Sequence, residues 1–284
     1  MKHDYSLAHL TVLSLTPPQV VDVAARAGYP YVGLRLTRVT EDEPLYDLAQ
    51  DRVLMRETKA RLADTGIKVL DIELFRMDPA LDPESFVPVL EATAELGARH
   101  IIAQLPDPDR ARATARFARL CDLAKPLGIF VSLEFPHWTE TGNLSEATRV
   151  VRSVDRSNAG ILVDMLHFGR SNSSLDDLAK VPREWLRFAH VCDAAKEVPP
   201  TLAGIIHTAR DERQFPGEGG IEVREILSRM PQDIPYALEI PRATLTKAVG
   251  AEEVARLAIV VARSYLDATE DALAVAHGES PAMV

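Results

Sequence analysis

Cysteine is nearly absent from this chain: Cys121 and Cys192 are the only two among 284 residues. That excludes a disulfide framework and makes a reducing cytoplasm the expected compartment. Long apolar runs are missing too. None approaches the roughly 18–20 residues needed to cross a bilayer, so no membrane span is expected. The opening stretch, MKHDYSLAH, lacks the apolar segment of a secretion signal. Basic charge is the minority sign, with 32 Lys and Arg against 42 Asp and Glu and a net charge of −10. A phosphate backbone demands a basic surface, so nucleic acid is not an expected partner. No G-x-G-x-x-G turn follows the first apolar run, which argues against a dinucleotide-binding sheet.

What is present is a core. Apolar residues make up 46% of the chain and charged residues 26%, the balance of a globular α/β domain. Gly28, Gly66, Gly97 and Gly128 each end a helical stretch and precede a short apolar run, in AGYPYVGL, TGIKVLDIEL, LGARHIIAQL and LGIFVSLEF. Glycine is favoured just past a helix end because it turns left-handed without steric cost. These glycines recur roughly every 30–40 residues, the size of one strand–helix unit. The helices between them carry apolar stripes at i, i+3, i+4, i+7: Val20, Val23, Ala24 and Ala27, then Phe117, Leu120, Cys121 and Ala124, then Val254, Leu257, Ala258 and Val261. Thr16-Pro17-Pro18 and Asp82-Pro83-Glu84 mark helix starts.

The apolar runs IIAQL and ILVDM do not alternate, which suits parallel strands buried on both faces. Eight strands are expected, at Tyr5–His9, Tyr31–Arg35, Ile67–Glu73, His100–Gln104, Ile129–Glu134, Gly160–Asp164, Leu186–His190 and Pro235–Ile240. Each is followed by a helix-compatible segment. The pattern predicts a single-domain α/β fold, a (β/α)8 barrel, over residues 1–276. It includes a long connection at about 193–219 and leaves residues 277–284 as a flexible tail.

Several of these runs end in a polar residue. Glu134, Asp164, His190 and Glu239 close the fifth to eighth strands, and all strand ends of such a barrel face one rim. Three carboxylates and an imidazole in one cleft would repel unless neutralised, and a divalent cation relieves that repulsion. The oxygen-rich set favours Mn²⁺ or Mg²⁺, with Co²⁺ and Zn²⁺ as alternatives. At the ends of strands one to four stand His9, Arg35, Glu73 and Gln104, further candidates for the pocket wall. Arg35 could meet a substrate carboxylate or phosphate, or pair with Glu73. Trp138, just past Glu134, could lie against a sugar ring or pack beneath a loop. Lys196 reads as a surface residue and Cys192 as core. Arg110, Arg112, Arg116 and Arg119 read as a solvated helix face.

This arrangement resembles the xylose-isomerase-like barrel family: sugar isomerases and epimerases of the tagatose/psicose 3-epimerase and hydroxypyruvate isomerase kind, with inosose dehydratases and apurinic-site endonucleases as relatives. The resemblance runs from the A-A-x-A-G-Y segment at Ala24–Tyr29 to Glu239. It implies one Mn²⁺-type ion held by Glu134, Asp164, His190 and Glu239, and a substrate contact from His167 in the Asp-x-x-His of Asp164–His167. It also implies a second glutamate at Glu140, although the intervening FPHWT is not a close copy. The R-x-x-P-G-x-G segment stands here as Arg213-Gln-Phe-Pro-Gly-Glu-Gly and is implied to close over substrate, with Arg213 meeting its oxygens.

The chemistry expected is proton abstraction α to a carbonyl. It needs a base beside the carbon and a cation on the oxygens where charge develops. Glu134 and Glu239 are the expected acid/base pair, and the substrate a ketose or related hydroxy-ketone. A dehydratase of the inosose or 3-dehydroshikimate type uses the same first step, and Arg35 and Arg213 would suit a carboxylated substrate. An abasic-site endonuclease would need further histidines on the early strands, where Arg35, Glu73 and Gln104 stand instead. A non-catalytic barrel is the remaining alternative. Alanine-rich helix faces permit a homo-oligomer without marking an interface.

Overall fold

Eight parallel strands pair in sequence order, and the eighth closes on the first. This is the (β/α)8 barrel expected from the strand count. The computed structural model describes residues 3–267, so the proposed barrel end at 276 and the tail 277–284 lie outside the described residues. The strands are β1 Tyr5–Leu7, β2 Tyr31–Arg35, β3 Lys68–Arg76, β4 His100–Gln104, β5 Phe130–Glu134, β6 Ala159–Asp164, β7 Ala189–Val191 and β8 Tyr236–Leu238. Among the described residues, no helix is long and apolar enough to cross a membrane.

The outer layer begins with α1 Pro17–Ala27, α2 Arg52–Thr65, α3 Val87–Glu95, α4 Arg110–Ala124 and α5 Leu144–Val154. Thr16 and Gln19 form a reciprocal cap at the start of α1, and Gly28 ends it at φ +83°. The stripe residues Val20, Val23 and Ala24 are buried against the sheet. On α4, Arg110, Arg112, Arg116 and Arg119 pair with Glu146, Asp107, Asp107 and Glu84, of which Asp107 is buried.

Inside the barrel a separate apolar plug of Leu70, Leu74, Ile102, Leu162, Phe188 and Ala237 fills the lumen. One acid interrupts it. Asp71, two residues before Glu73 on β3, is buried, and neither carboxylate oxygen has a hydrogen-bond partner among the described residues. Gly33 on β2 leaves room for it, since a Cβ there would stand 3.1 Å from both oxygens.

Six strands differ in length from expectation, β5 and β6 by a single residue at their starts. β1 stops at Leu7 because residues His9–Val12 wind into a 3₁₀ turn, while β3 runs on to Arg76. β7 and β8 are three residues each, so Glu239 stands just past its strand. The segment 193–219 is not a plain connection: Leu202–Asp211 folds into a helix capped by the Thr201 side chain on the Gly204 amide. Pro199-Pro200 directly before that cap masked the helix, because prolines also read as loop.

Burial pushes the Asp71 carboxyl up to about 8. It is therefore protonated in the folded chain at neutral pH, whereas an unfolded Asp ionises near 3.9. The unfolded chain binds fewer protons between those values, so stability should fall as pH rises from about 4 to about 8. Asp71→Asn is expected to remove that slope, read as the shift in urea midpoint between about pH 5 and 8. Identical slopes in the two proteins would refute the assignment.

Candidate active site

The C-terminal ends of β5 to β8 converge on one point. Ligand atoms of Glu134, Asp164, His190 and Glu239 all lie within 4.8 Å of one another, and all four residues are buried. Parallel pairing explains the convergence: Asp164 and His190 are register partners on β6 and β7, and His190 is partnered by Ala237, two residues before Glu239. The His190 Nδ1 stands 3.3 Å from Glu239 Oε2, 3.5 Å from Glu134 Oε1 and 3.7 Å from Asp164 Oδ2. Neither ring nitrogen makes a hydrogen bond with any described residue, although both are buried.

Each carboxylate is also steered from outside the cluster. Gln104 donates its Nε2 to Glu134 Oε2 at 2.5 Å. The Asp164 Oδ1 caps the next helix, α6 Met165–Arg170, by accepting from the His167 amide at 3.0 Å. Arg213 bridges the remaining pair, with Nη1 2.6 Å from Asp164 Oδ2 and Nη2 2.7 Å from Glu239 Oε2. Its Nε donates to the Ala209 carbonyl and its Nη1 to Cys192 Sγ. Cys192 is fully buried.

The charges hold one another. Burial alone would raise Asp164 and Glu239, but Arg213 and His190 outweigh it. Asp164 lies well below the usual carboxylate range and Glu239 near 2. Burial alone would discharge His190, but Glu239, Asp164 and Glu134 raise its pKa well above the ordinary value. A donor set of three carboxylates and one imidazole, with orphaned ring nitrogens among the oxygens, fits a divalent cation. Oxygens already accepting one hydrogen bond retain a second lone pair for it.

A cavity opens above this cluster. Its wall includes nine of the residues singled out in the sequence: Glu134, His190, Glu239, His167, Arg213, Arg35, Glu73, Gln104 and Trp138. Arg35 donates to Glu73 through Nη2 at 2.7 Å and to Glu43 through Nη1 at 3.2 Å, so of its two expected readings the structure shows the ion pair. Trp138 borders the cavity edge-on to His167, at 5.0 Å between rings. His167 and His137 approach through their Nδ1 atoms at 3.2 Å, and burial lowers the pKa of both.

Two candidates stand elsewhere. His9 does not line the cavity: its Nδ1 accepts from the Arg35 amide and its Nε2 donates to the Leu15 carbonyl, while its ring stacks on Tyr46. That geometry fixes a neutral tautomer, and burial lowers its pKa to about 4. It braces the strand ends from the early turn after β1, where its amide also donates to Glu73 Oε1. Glu140 is exposed on an outer groove, past the bend at Pro136–Thr139. Lys196 is on the surface.

Two residues escaped the sequence reading. Asp193 gathers the 214–221 turn: Oδ2 accepts from the Gly217 and Gly219 amides at 3.0 Å, and Oδ1 from Ile221 at 2.9 Å. A Cβ at Gly219 would stand 2.3 Å from Asp193 Oδ1, so only glycine fits. With the paired backbone of Asp193 and Gln214, this clamp holds Arg213 under the rim. An Asp three residues past a strand-end His, followed by a Gly-rich turn, was the available signal. Arg210 also lines the cavity. It lies on the unanticipated helix and had no signal of its own.

Fold and site together define a (β/α)8 barrel with a carboxylate–histidine cluster at its C-terminal rim. The family described as xylose isomerase-like TIM barrel matches residues 21–264, and the chain belongs to that family. An inosose isomerase of Bacillus licheniformis is 30% identical over 165 residues, 54% of this chain and 56% of that protein. The match thus spans about half the length of that relative. A 3-dehydroshikimate dehydratase of Pseudomonas aeruginosa is 26% identical over 233 residues, covering 76% of this chain and 34% of that protein. The solved structure of IolI protein with a bound zinc atom shares the fold at TM-score 0.76 and 20% identity, over 93% of this chain and 100% of that one.

Asp193→Asn removes the charge from four hydrogen bonds to backbone amides, its own neighbour Ala194 included. It should cost about 2–3 kcal/mol in urea unfolding. It should also speed hydrogen exchange at the Gly217, Gly219 and Ile221 amides ahead of the rest of the chain. Unchanged exchange there would contradict the clamp.

Proposed function

We propose that this chain is a divalent-metal-dependent isomerase or epimerase of a ketose or related polyhydroxy ketone. The observation that carries the reading is the convergence of Glu134, Asp164, His190 and Glu239 beneath one cavity. Resemblance to proteins named inosose isomerase supports the substrate class. Mn²⁺ is the proposed ion on donor chemistry, with Mg²⁺, Co²⁺ and Zn²⁺ as alternatives. When bound, such an ion supplies a fixed positive charge that draws electron density out of a substrate carbonyl.

The chain's own residues divide the remaining work. Glu134 and Glu239 enter from different sides of the cluster and are the proposed acid/base pair. Gln104 holds Oε2 of Glu134, and Arg213 holds Oε2 of Glu239. The Oε1 of each is left to take or return the proton at the carbon beside the carbonyl. Carboxylates on two sides of one carbon allow a proton to leave one face and return to the other. His167, kept neutral by burial, can donate to or accept from a substrate hydroxyl. Trp138, Val39 and Leu10 supply apolar wall that limits water.

The second reading is a dehydratase, in which the same abstraction is followed by loss of a hydroxyl as water. It is favoured by the likeness to a 3-dehydroshikimate dehydratase over 76% of this chain. The proposed setting for either reading is the cytoplasm, with a small-molecule partner.

Metal analysis of the purified protein should find a stoichiometric divalent ion, and His190→Asn should weaken its binding at least about tenfold. A panel of polyhydroxy ketones in D₂O should place deuterium at a retained carbon without new ultraviolet absorbance. An enone or aromatic absorbance instead would overturn the isomerase reading in favour of the dehydratase. Glu134→Gln should lower kcat by about 10²–10⁴ with little change in thermal stability. Near-wild-type turnover would remove Glu134 from the chemistry.

A further inference from the structure

Three guanidinium groups face the cavity, and two are already engaged. Arg35 is held by Glu73 and Glu43, and Arg213 by Asp164 and Glu239. Neither is free for the anion-binding role that the sequence suggested for it. Arg210, in the last turn of α8 (the helix Leu202–Asp211; α7 is the short Leu175–Leu178), is different. It makes no ion pair and no side-chain hydrogen bond with any described residue, yet it is half-buried. Glu43 and Asp211 attract it from beyond pairing distance, while Arg76 and Arg35 repel it. Arg76 is itself bound to both oxygens of Asp78.

A half-buried guanidinium that makes no hydrogen bond or ion pair is costly unless an anion completes it. Arg210 also sits where the space divides. It borders the rim cavity on one side and, on the other, the outer groove with Arg76, Trp138, Leu202 and Ile206. A molecule whose reacting end lies on the acidic rim cluster would reach Arg210 with its far end. The arginine's root is fixed, because the carbonyl of the preceding Ala209 accepts from Arg213 Nε at 2.7 Å. The planar fork of a guanidinium matches the paired oxygens of a carboxylate.

We infer that Arg210 is a specificity-determining residue that binds a carboxylate carried by the substrate, remote from the carbon that exchanges its proton. The inference rests on the rim cluster being the reacting centre. It narrows the substrate to acidic polyhydroxy ketones and cyclitols and disfavours neutral sugars.

The test is calorimetric titration of the full-length Mn²⁺-loaded protein with quinate (a carboxylated cyclitol), myo-inositol (its uncharged counterpart) and inorganic phosphate. Wild type, Arg210→Gln and Arg210→Lys are compared. Loss of a charge-assisted pair should weaken quinate about 10- to 100-fold in Arg210→Gln, with Arg210→Lys in between. Affinity for myo-inositol should be the same in all three. Quinate binding within about twofold of wild type in Arg210→Gln overturns the inference. So does an equal loss for myo-inositol, or no quinate binding to the wild type. Phosphate binding more tightly than quinate, and lost in Arg210→Gln, overturns the carboxylate in favour of a phosphorylated substrate. If quinate behaves as expected while no substrate exchanges deuterium, the anion subsite stands and the isomerase reading falls separately.

Discussion

The site depends on one buried cation. Arg213 is 3% exposed and joins Asp164 to Glu239 with two short contacts, in a rim that also holds Glu134 and His190. Three acids in a dry space would otherwise protonate or force the strand ends apart. The guanidinium fork neutralises two of them while setting the direction of each. Everything that fixes Arg213 therefore acts on the site at one remove. Asp193 clamps the turn that follows it, Pro241 accepts its amide, and Ala209 accepts its Nε.

The barrel interior is arranged in tiers along its axis. Below the rim the lumen is filled by Leu70, Leu74, Ile102, Leu162 and Phe188, all buried. Above it, a second ionic network runs from Glu73 through Arg35 to Glu43, and His9 ties the Arg35 and Glu73 ends to the first turn. Strands two and three thus close their side of the cavity with charges that satisfy one another, while strands five to eight gather theirs around a point. The asymmetry concentrates three carboxylates on one half of the rim, a group that could hold a divalent metal.

The (β/α)8 fold supports many chemistries because its rim residues come from several strand ends and the loops that follow them vary. In this chain the connection after β7 brings two cations to that rim. Its helix presents Arg210 to the cavity, and its glycine turn buries Arg213 beneath the rim. A single segment of about thirty residues therefore contributes both the cation that organises the acids and a cation with no partner among the described residues.

Much of this was legible in the chain itself, for identifiable reasons. Unbroken apolar runs, regular glycine stops and helical stripes dictate eight alternating units, because backbone hydrogen bonding and burial are local demands that sequence must meet directly. Polar residues at equivalent ends of successive runs, Glu134, Asp164, His190 and Glu239, then share a rim, because parallel strands all point one way. What only the tertiary structure decided is pairing across long separations. Whether Arg35 met a ligand or Glu73, whether Arg213 faced substrate or bridged Asp164 and Glu239, and whether His9 entered the lumen or braced the first turn were open in one dimension. So were the clamp at Asp193 and the unpartnered Arg210. Side-chain reach, strand ends shortened by one or two residues, and competition among many charges for few partners are settled only when the chain closes on itself.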